Sequence, residues 1–323
     1  NLIGGKMNYM ILSVDTGIDD ALAIAYALGQ KTYRLLGITV SYGMAPLEKT
    51  YRNTRHLLNL MGHPEVPVYP GSSAPLQGIR TYNGDFHGMD GAANLLGEPA
   101  WEERPPEHMK SSVAFIHESI ERYGRDLTLV TTGPLTDLAR LLNLYPSQCR
   151  ALGQVISMGG ALTCPGNSSP VAEANIKADV AASKAVLEAG LPLTLIGLDV
   201  TRKTLLTWEE IQTWKNMGTA AGSFYCDLLT FYLNEYRRFY PYLQGCALHD
   251  PLAVAAACCP QIFTMLPFHL TVCTDGPLIG RITENLMADH GGTEETMVAL
   301  KVDSHAFKSM FTEMMSYVLG GFA

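Results

Sequence analysis

Strand-length apolar runs alternate with helix-length amphipathic segments along most of this 323-residue chain, and this alternation constrains its fold more than any other feature. Residues 9–14 form a short β-like run that ends in Asp15-Thr16-Gly17. Residues 19–28 then read as a helix, with apolar Ala21, Leu22, Ile24 and Ala25 at helical spacing. Further strands are expected over 35–40, 66–69, 127–132, 154–158 and 193–198. Helices are expected over 47–61 and 111–123, and from near Pro134 and Asp179. The pattern predicts an α/β fold: an open, mostly parallel, Rossmann-like sheet with helices on both faces. Ligands of such sheets bind beyond the carboxyl ends of the strands. Residues 207–240 read as mainly helical. Strand-like runs at 268–273, 280–283 and 297–302 and a helix from Ser304 complete an elaborated C-terminal part. No linker, repeat or charge block interrupts the chain, so residues 7–323 read as a single domain. Residues 1–6 precede Met7 and read as an expression remnant outside it.

Composition narrows the function classes. With 47% apolar and 17% charged residues the chain buries a large interior, which excludes a disordered protein. The net charge is −8 and no lysine or arginine run occurs, so no nucleic-acid partner is expected. No uninterrupted apolar stretch reaches the ~18–20 residues a membrane helix needs, so no membrane partner is expected either. The seven cysteines suit neither a zinc knuckle nor a disulfide framework; they read as free thiols, and no signal peptide is apparent. A cytoplasmic protein is expected.

The chemistry concentrates after the first strand, where Asp15, Asp19 and Asp20 fall within six residues. A capping role at a helix N-terminus accounts for one aspartate. Three carboxylates together repel one another unless a cation sits among them, and hard oxygen ligands favour calcium or magnesium over zinc. Asp-Thr-Gly is also the catalytic tripeptide of aspartic proteases, but no second copy is present. Phosphatases of the haloacid dehalogenase type need Asp-x-Asp, and position 17 is glycine.

The segment Ile11-Leu12-Ser13-Val14-Asp15-Thr16-Gly17-Ile18-Asp19-Asp20-Ala21 resembles the N-terminal motif of the inosine/uridine-preferring nucleoside hydrolases. Further family blocks follow in order: Leu47-Glu48-Lys49-Thr50 with Arg52-Asn53, Phe86-His87-Gly88-Met89-Asp90-Gly91 and Thr132-Gly133-Pro134-Leu135-Thr136. Met158-Gly159-Gly160, Ala172-Glu173-Ala174-Asn175-Ile176 and His249-Asp250-Pro251 complete the series. The resemblance implies a calcium-dependent ribonucleoside hydrolase with the fold of that family. It implies Ca2+ held by Asp15, Asp20, Asp250 and the carbonyl of Thr132, with Asp15 also acting as general base. Asp19, Met158, Asn167, Glu173 and Asn175 match the family's ribose contacts. If the segment is extended, the alternate positions 173 and 175 point the same way. His249 is the expected leaving-group acid, because its near-neutral reference pKa suits protonating a departing purine. His87 is placed either against sugar or base, or as a residue that orders its glycine-rich loop. Tyr232 and Tyr236, in the aromatic-rich stretch 231–242, are placed over the base. The implied partner is a small-molecule ribonucleoside, and the implied assembly a homodimer or homotetramer.

Departures from the family pattern bear on the substrate. Ser13 stands where an earlier aspartate is usual, Met44 where asparagine is usual, and Ala174 where a larger aromatic is common. A competing reading is a non-catalytic nucleoside- or sugar-binding protein that retains the metal site; the retained Asp15 argues against it. Metal-assisted phosphoester hydrolysis is disfavoured, because no lysine or arginine accompanies the carboxylates in their motif.

Overall fold

The computed structural model describes residues 7–287 and 295–321, so the remnant expected at 1–6 lies outside the described residues. The elements run β1 (Asn8–Val14), α1 (Ile18–Leu28), β2 (Tyr33–Val40), α2 (Leu47–Leu60), β3 (Val68–Pro70), α3 (Ser112–Tyr123), β4 (Leu127–Thr131), α4 (Thr136–Leu144), α5 (Pro146–Cys149) and β5 (Gln154–Met158). They continue with α6 (Ala174–Ala178), α7 (Val180–Leu187), β6 (Leu193–Ile196), α8 (Leu198–Thr201), β7 (Leu205–Leu206), α9 (Trp208–Lys215), α10 (Ala220–Phe239), β8 (Cys246–Ala247) and α11 (His249–Cys258). Last come β9 (Phe263–Phe268), β10 (Leu270–Val272), β11 (Ile282–Glu284), β12 (Thr296–Val302) and α12 (Ser304–Leu319).

The main sheet has eight strands in the order β3-β2-β1-β4-β5-β6-β12-β9. All neighbours pair in parallel except β12 with the edge strand β9. Alternation along each strand divides the core in two. Met10, Leu12, Val14, Val130, Ile156 and Ile196 enter one apolar cluster; Ile11, Leu129, Val155 and Leu195 enter the other. Side chains two apart share a face, so each strand feeds both layers of helices. α1 is buried almost all round, between the sheet, α11 and α12. α11 is likewise buried from His249 to Ala256, and Pro251 sits in its first turn, where a missing N–H costs nothing.

Three strand expectations shift. The run at 66–69 pairs at Val68–Pro70, because Pro67 has no N–H and offers only its carbonyl, to Ile38. The run at 193–198 ends at Ile196, where Gly197 opens the short α8. The run at 268–273 breaks at His269, leaving β9 in the main sheet and β10 in a separate pair with β11. The cysteines are free thiols, and no helix among the described residues is long and apolar enough to cross a membrane.

Candidate active site

Sheet order reverses between β1 and β4, so the loops leaving their carboxyl ends diverge and open a crevice. β1 delivers Asp15, and α1 adds Asp19 and Asp20 in its first turn, where carboxylates face the positive end of the helix dipole. Thr132 follows β4, with its N–H tied to the carbonyl of Ser13 at 2.8 Å. α11 brings Asp250 to the same place. Asp20 is fixed by the Gly17 N–H (2.9 Å) and the Thr132 hydroxyl (2.6 Å). Asp15 is boxed between two glycines: a Cβ at Gly43 would overlap its carboxylate, and one at Gly133 would lie 2.8 Å from Oδ1. Gly43→Ala is therefore expected to displace Asp15 and cost most of the activity while leaving the fold intact. Turnover and thermal melting, measured together, check this.

Carboxylate oxygens of Asp19, Asp20 and Asp250 all lie within 4.8 Å of one another, and all three residues are buried. Burial pushes the Asp19 carboxyl up to about 6. Burial, then the charge of Asp19, pushes Asp20 up to about 7. Asp250 is raised well above the carboxylate range, by burial and then by Asp19; Asp15 is raised likewise, by burial and then by Asp20. Three carboxylates this close repel one another unless a proton or a cation sits among them. Asp15 Oδ2 is buried with no hydrogen-bond partner. An orphaned oxygen beside three crowded carboxyls fits a hard, multivalent cation. The grouping differs from the expected ligand set in one respect: Asp19, assigned to the sugar, stands in the tight trio, and Asp15 faces the cavity beside it.

All thirteen site residues named from the sequence line one cavity of about 550 Å³. The segment 173–175 is not extended but opens α6. Glu173 caps α6, accepting from the N–H groups of Asn175 (2.9 Å), Ile176 (3.1 Å) and Gly160 (3.0 Å). Its carboxylate thus fixes the backbone that carries Asn175. The Asn175 amide donates to the carbonyls of Thr132 (2.7 Å) and Met158 (3.2 Å). Asn167 is set by its Oδ1, which accepts from Ala174 N–H at 2.9 Å.

Aromatic side chains line the cavity beside the carboxylates, and His87 Nδ1 lies 3.8 Å from Asp19 Oδ1. Phe86, held at φ 63°, packs against Tyr236 and Phe239 of α10. Beside it, His87 Nδ1 accepts from the Ile18 N–H at 3.0 Å, and burial lowers the ring to about 4. His87 is therefore neutral, with its proton on Nε2. Tyr232 and Tyr236 stand edge to face, 5.0 Å apart. His249 shares hydrogen bonds with the Tyr236 hydroxyl through Nε2 (2.8 Å) and with the Thr201 hydroxyl through Nδ1 (2.7 Å). Burial, aided by Arg202, pushes His249 down to about 3. The near-neutral acidity expected for this histidine is not what the fold provides: it is a neutral link between two hydroxyls.

Sequence reasoning missed the supporting residues. Arg202 donates to the carbonyls of Pro165 and Gly166, both at 2.8 Å, and Asp199 accepts from the N–H groups of Leu162 and Thr163. Together they hold the loop that carries Asn167, while Thr201 between them holds His249. Their common signal was the Gly197 break after β6.

Fold and site together define a doubly wound α/β enzyme built around buried carboxylates at its switch point. The chain belongs to the inosine-uridine preferring nucleoside hydrolase family, whose sequence model matches residues 10–309. It is thus an N-glycosyl hydrolase. A purine-preferring ribonucleoside hydrolase from Gardnerella vaginalis is 38% identical, with a TM-score of 0.91 over 98% of this chain and 100% of that one. The plant nucleoside hydrolase PpNRh1 is 28% identical, with a TM-score of 0.89 over 96% and 99%. The pyrimidine-specific ribonucleoside hydrolase RihA of Salmonella gallinarum (strain 287/91 / NCTC 13346) is 30% identical over 313 residues, 95% of this chain and 98% of that one.

Proposed function

We propose that the protein hydrolyses the N-glycosidic bond of ribonucleosides to free base and ribose, using calcium held by Asp15, Asp20, Asp250 and the Thr132 carbonyl. The observation that carries this reading is a single cavity lined by both a carboxylate cluster and aromatic, hydroxyl-bearing side chains. Calcium accepts ~6–8 oxygens, so once bound it has positions left for the sugar diol and for a water whose acidity it raises. Asp15, which lines the cavity, accepts the proton of the attacking water. Asp19 accepts from a ribose hydroxyl, and Asn167 and Asn175 hold the rest of the sugar. Polar groups gathered around the ribose stabilise the positive charge that develops as the bond to the base breaks. Tyr232, Tyr236 and Phe86 pack on the base, with the neutral His87 offering its Nε2–H. The assembly is proposed to be a homodimer or homotetramer acting in the cytoplasm.

Leaving-group protonation falls to the pair His249–Tyr236 rather than to a standing imidazolium. The tyrosine hydroxyl donates towards the base, the His249 Nε2–H stabilises the phenolate that forms, and solvent reprotonates it after the base leaves. His249→Ala is expected to slow inosine hydrolysis by about 10²-fold or more. It should barely affect a nitrophenyl riboside, whose leaving group needs no proton. An unchanged ratio between the two substrates would remove this pair from the chemistry. The reading as a whole is tested with a panel of purine and pyrimidine ribonucleosides assayed for reducing sugar. Release from none of them would overturn it.

A further inference from the structure

Arg80 lies in the Gly/Pro-rich stretch 71–106, outside every motif discussed above, yet it lines the cavity. Its Nε–H donates to the Gly43 carbonyl at 3.2 Å. A guanidinium carries five N–H donors, and among the described residues none of the four on Nη1 and Nη2 has a protein partner. Gly43 is the shared neighbour of two unpaired groups: its carbonyl holds Arg80, and its α-carbon abuts the Asp15 carboxylate, whose Oδ2 is the buried orphan acceptor. Arg80 is close enough for its charge to be felt at Asp15, but no ion pair closes between them. Met44 lines the same cavity and offers only a thioether side chain. The unpartnered N–H groups of Arg80 thus stand in the cavity near Asp15, where a ligand oxygen can accept from them.

We propose that Arg80 is a substrate-contacting residue, donating its free guanidinium N–H groups to a hydroxyl oxygen of the ribose diol beside Asp15. The proposal rests on the ribonucleoside reading above and adds the residue that selects for that hydroxyl. Anchoring through Nε sets the plane of the guanidinium, so the contact is directional, which a lysine cannot reproduce.

The test is calorimetric titration of the calcium-loaded protein with ribose, 2-deoxyribose and 3-deoxyribose, for the wild type, Arg80→Met and Arg80→Lys. Arg80→Met should weaken ribose binding by about ten- to a hundredfold, the range for one hydrogen bond to a charged group. It should leave unchanged the binding of whichever deoxy sugar lacks the contacted oxygen. Arg80→Lys should recover part of the loss, and it covers the case in which the methionine variant is poorly folded. Equal weakening of all three sugars, or of none, would overturn the contact. Ribose binding that responds to Arg80→Met without nucleoside hydrolysis by the wild type would sink the hydrolase reading and leave the contact standing. Hydrolysis with ribose affinity indifferent to Arg80 would overturn the contact alone. Failure of the wild type to bind ribose at all would overturn both.

Discussion

Asp15→Asn should lower kcat by about 10²-fold or more while raising the melting temperature of the metal-free protein. The first effect follows from the chemistry: the amide keeps the shape and one oxygen but cannot take a proton from water. The second follows from burial. Asp15 sits fully enclosed beside Asp19 and Asp20, its carboxyl raised by desolvation and by their charges. Removing that carboxyl relieves repulsion that the fold otherwise bears, the trade between stability and activity common at catalytic sites. Asparagine fits the space because the box formed by Gly43 and Gly133 accommodates a planar group of the same size. The two readouts together distinguish this from simple misfolding, which would lower both. A variant that turns over normally at saturating calcium would take the base role from Asp15 and pass it to Asp19 or Asp250.

Stripping the metal with a strong chelator should abolish hydrolysis, and calcium should restore it better than zinc, since the site offers oxygen donors and no cysteine or histidine ligand set. The same treatment has a pH signature. Asp19 and Asp20 have folded-state values of about 6 and about 7, above the unfolded reference of 3.8. Between roughly pH 4 and pH 7 these carboxyls bind more protons in the folded metal-free protein than in the unfolded chain, so their contribution to stability falls as pH rises. His87 and His249, lowered by burial, contribute the opposite sign up to about pH 6.5. Calcium binds only the ionised, folded cluster, so its stabilising effect should be larger at pH 7.5 than at pH 5. Thermal melts at both pH values, with and without calcium, check this. Melting behaviour independent of calcium would remove the cation from the cluster. Full activity after chelation would refute the assignment of Asp15, Asp20 and Asp250.

Much of this was legible from sequence because it rests on short-range patterns. The period-two alternation of Met10, Leu12 and Val14 against Ile11 announces a strand covered on both faces. Asp15, Asp19 and Asp20 announce a charge cluster by proximity alone. What escaped was held by contacts distant in sequence. Arg80 meets Gly43, Arg202 meets Pro165 and Thr201 meets His249, each some forty residues away. A lone arginine in a loop carries no periodicity to read. The local geometry of Glu173 and Asn175 stayed open for a different reason: a spacing of two fits a strand, but an acidic residue that gathers N–H groups starts a helix instead. The acidity of His249 could not be read either, because burial by α10 and the nearness of Arg202 decide it, not its neighbours in the chain.

The cavity draws its lining from different parts of the chain. Its carboxylates, Thr132 and Met158 hang on strand ends and helix starts of the central sheet, whereas Tyr232 and Tyr236 both come from α10. On the function proposed above, evolution can redraw much of the surface that meets the base by changing successive turns of one helix, while the groups proposed to break the bond stay under separate selection. A purine-preferring and a pyrimidine-specific relative, both alignable with this chain over nearly its whole length, are what such a division of inheritance leads one to expect.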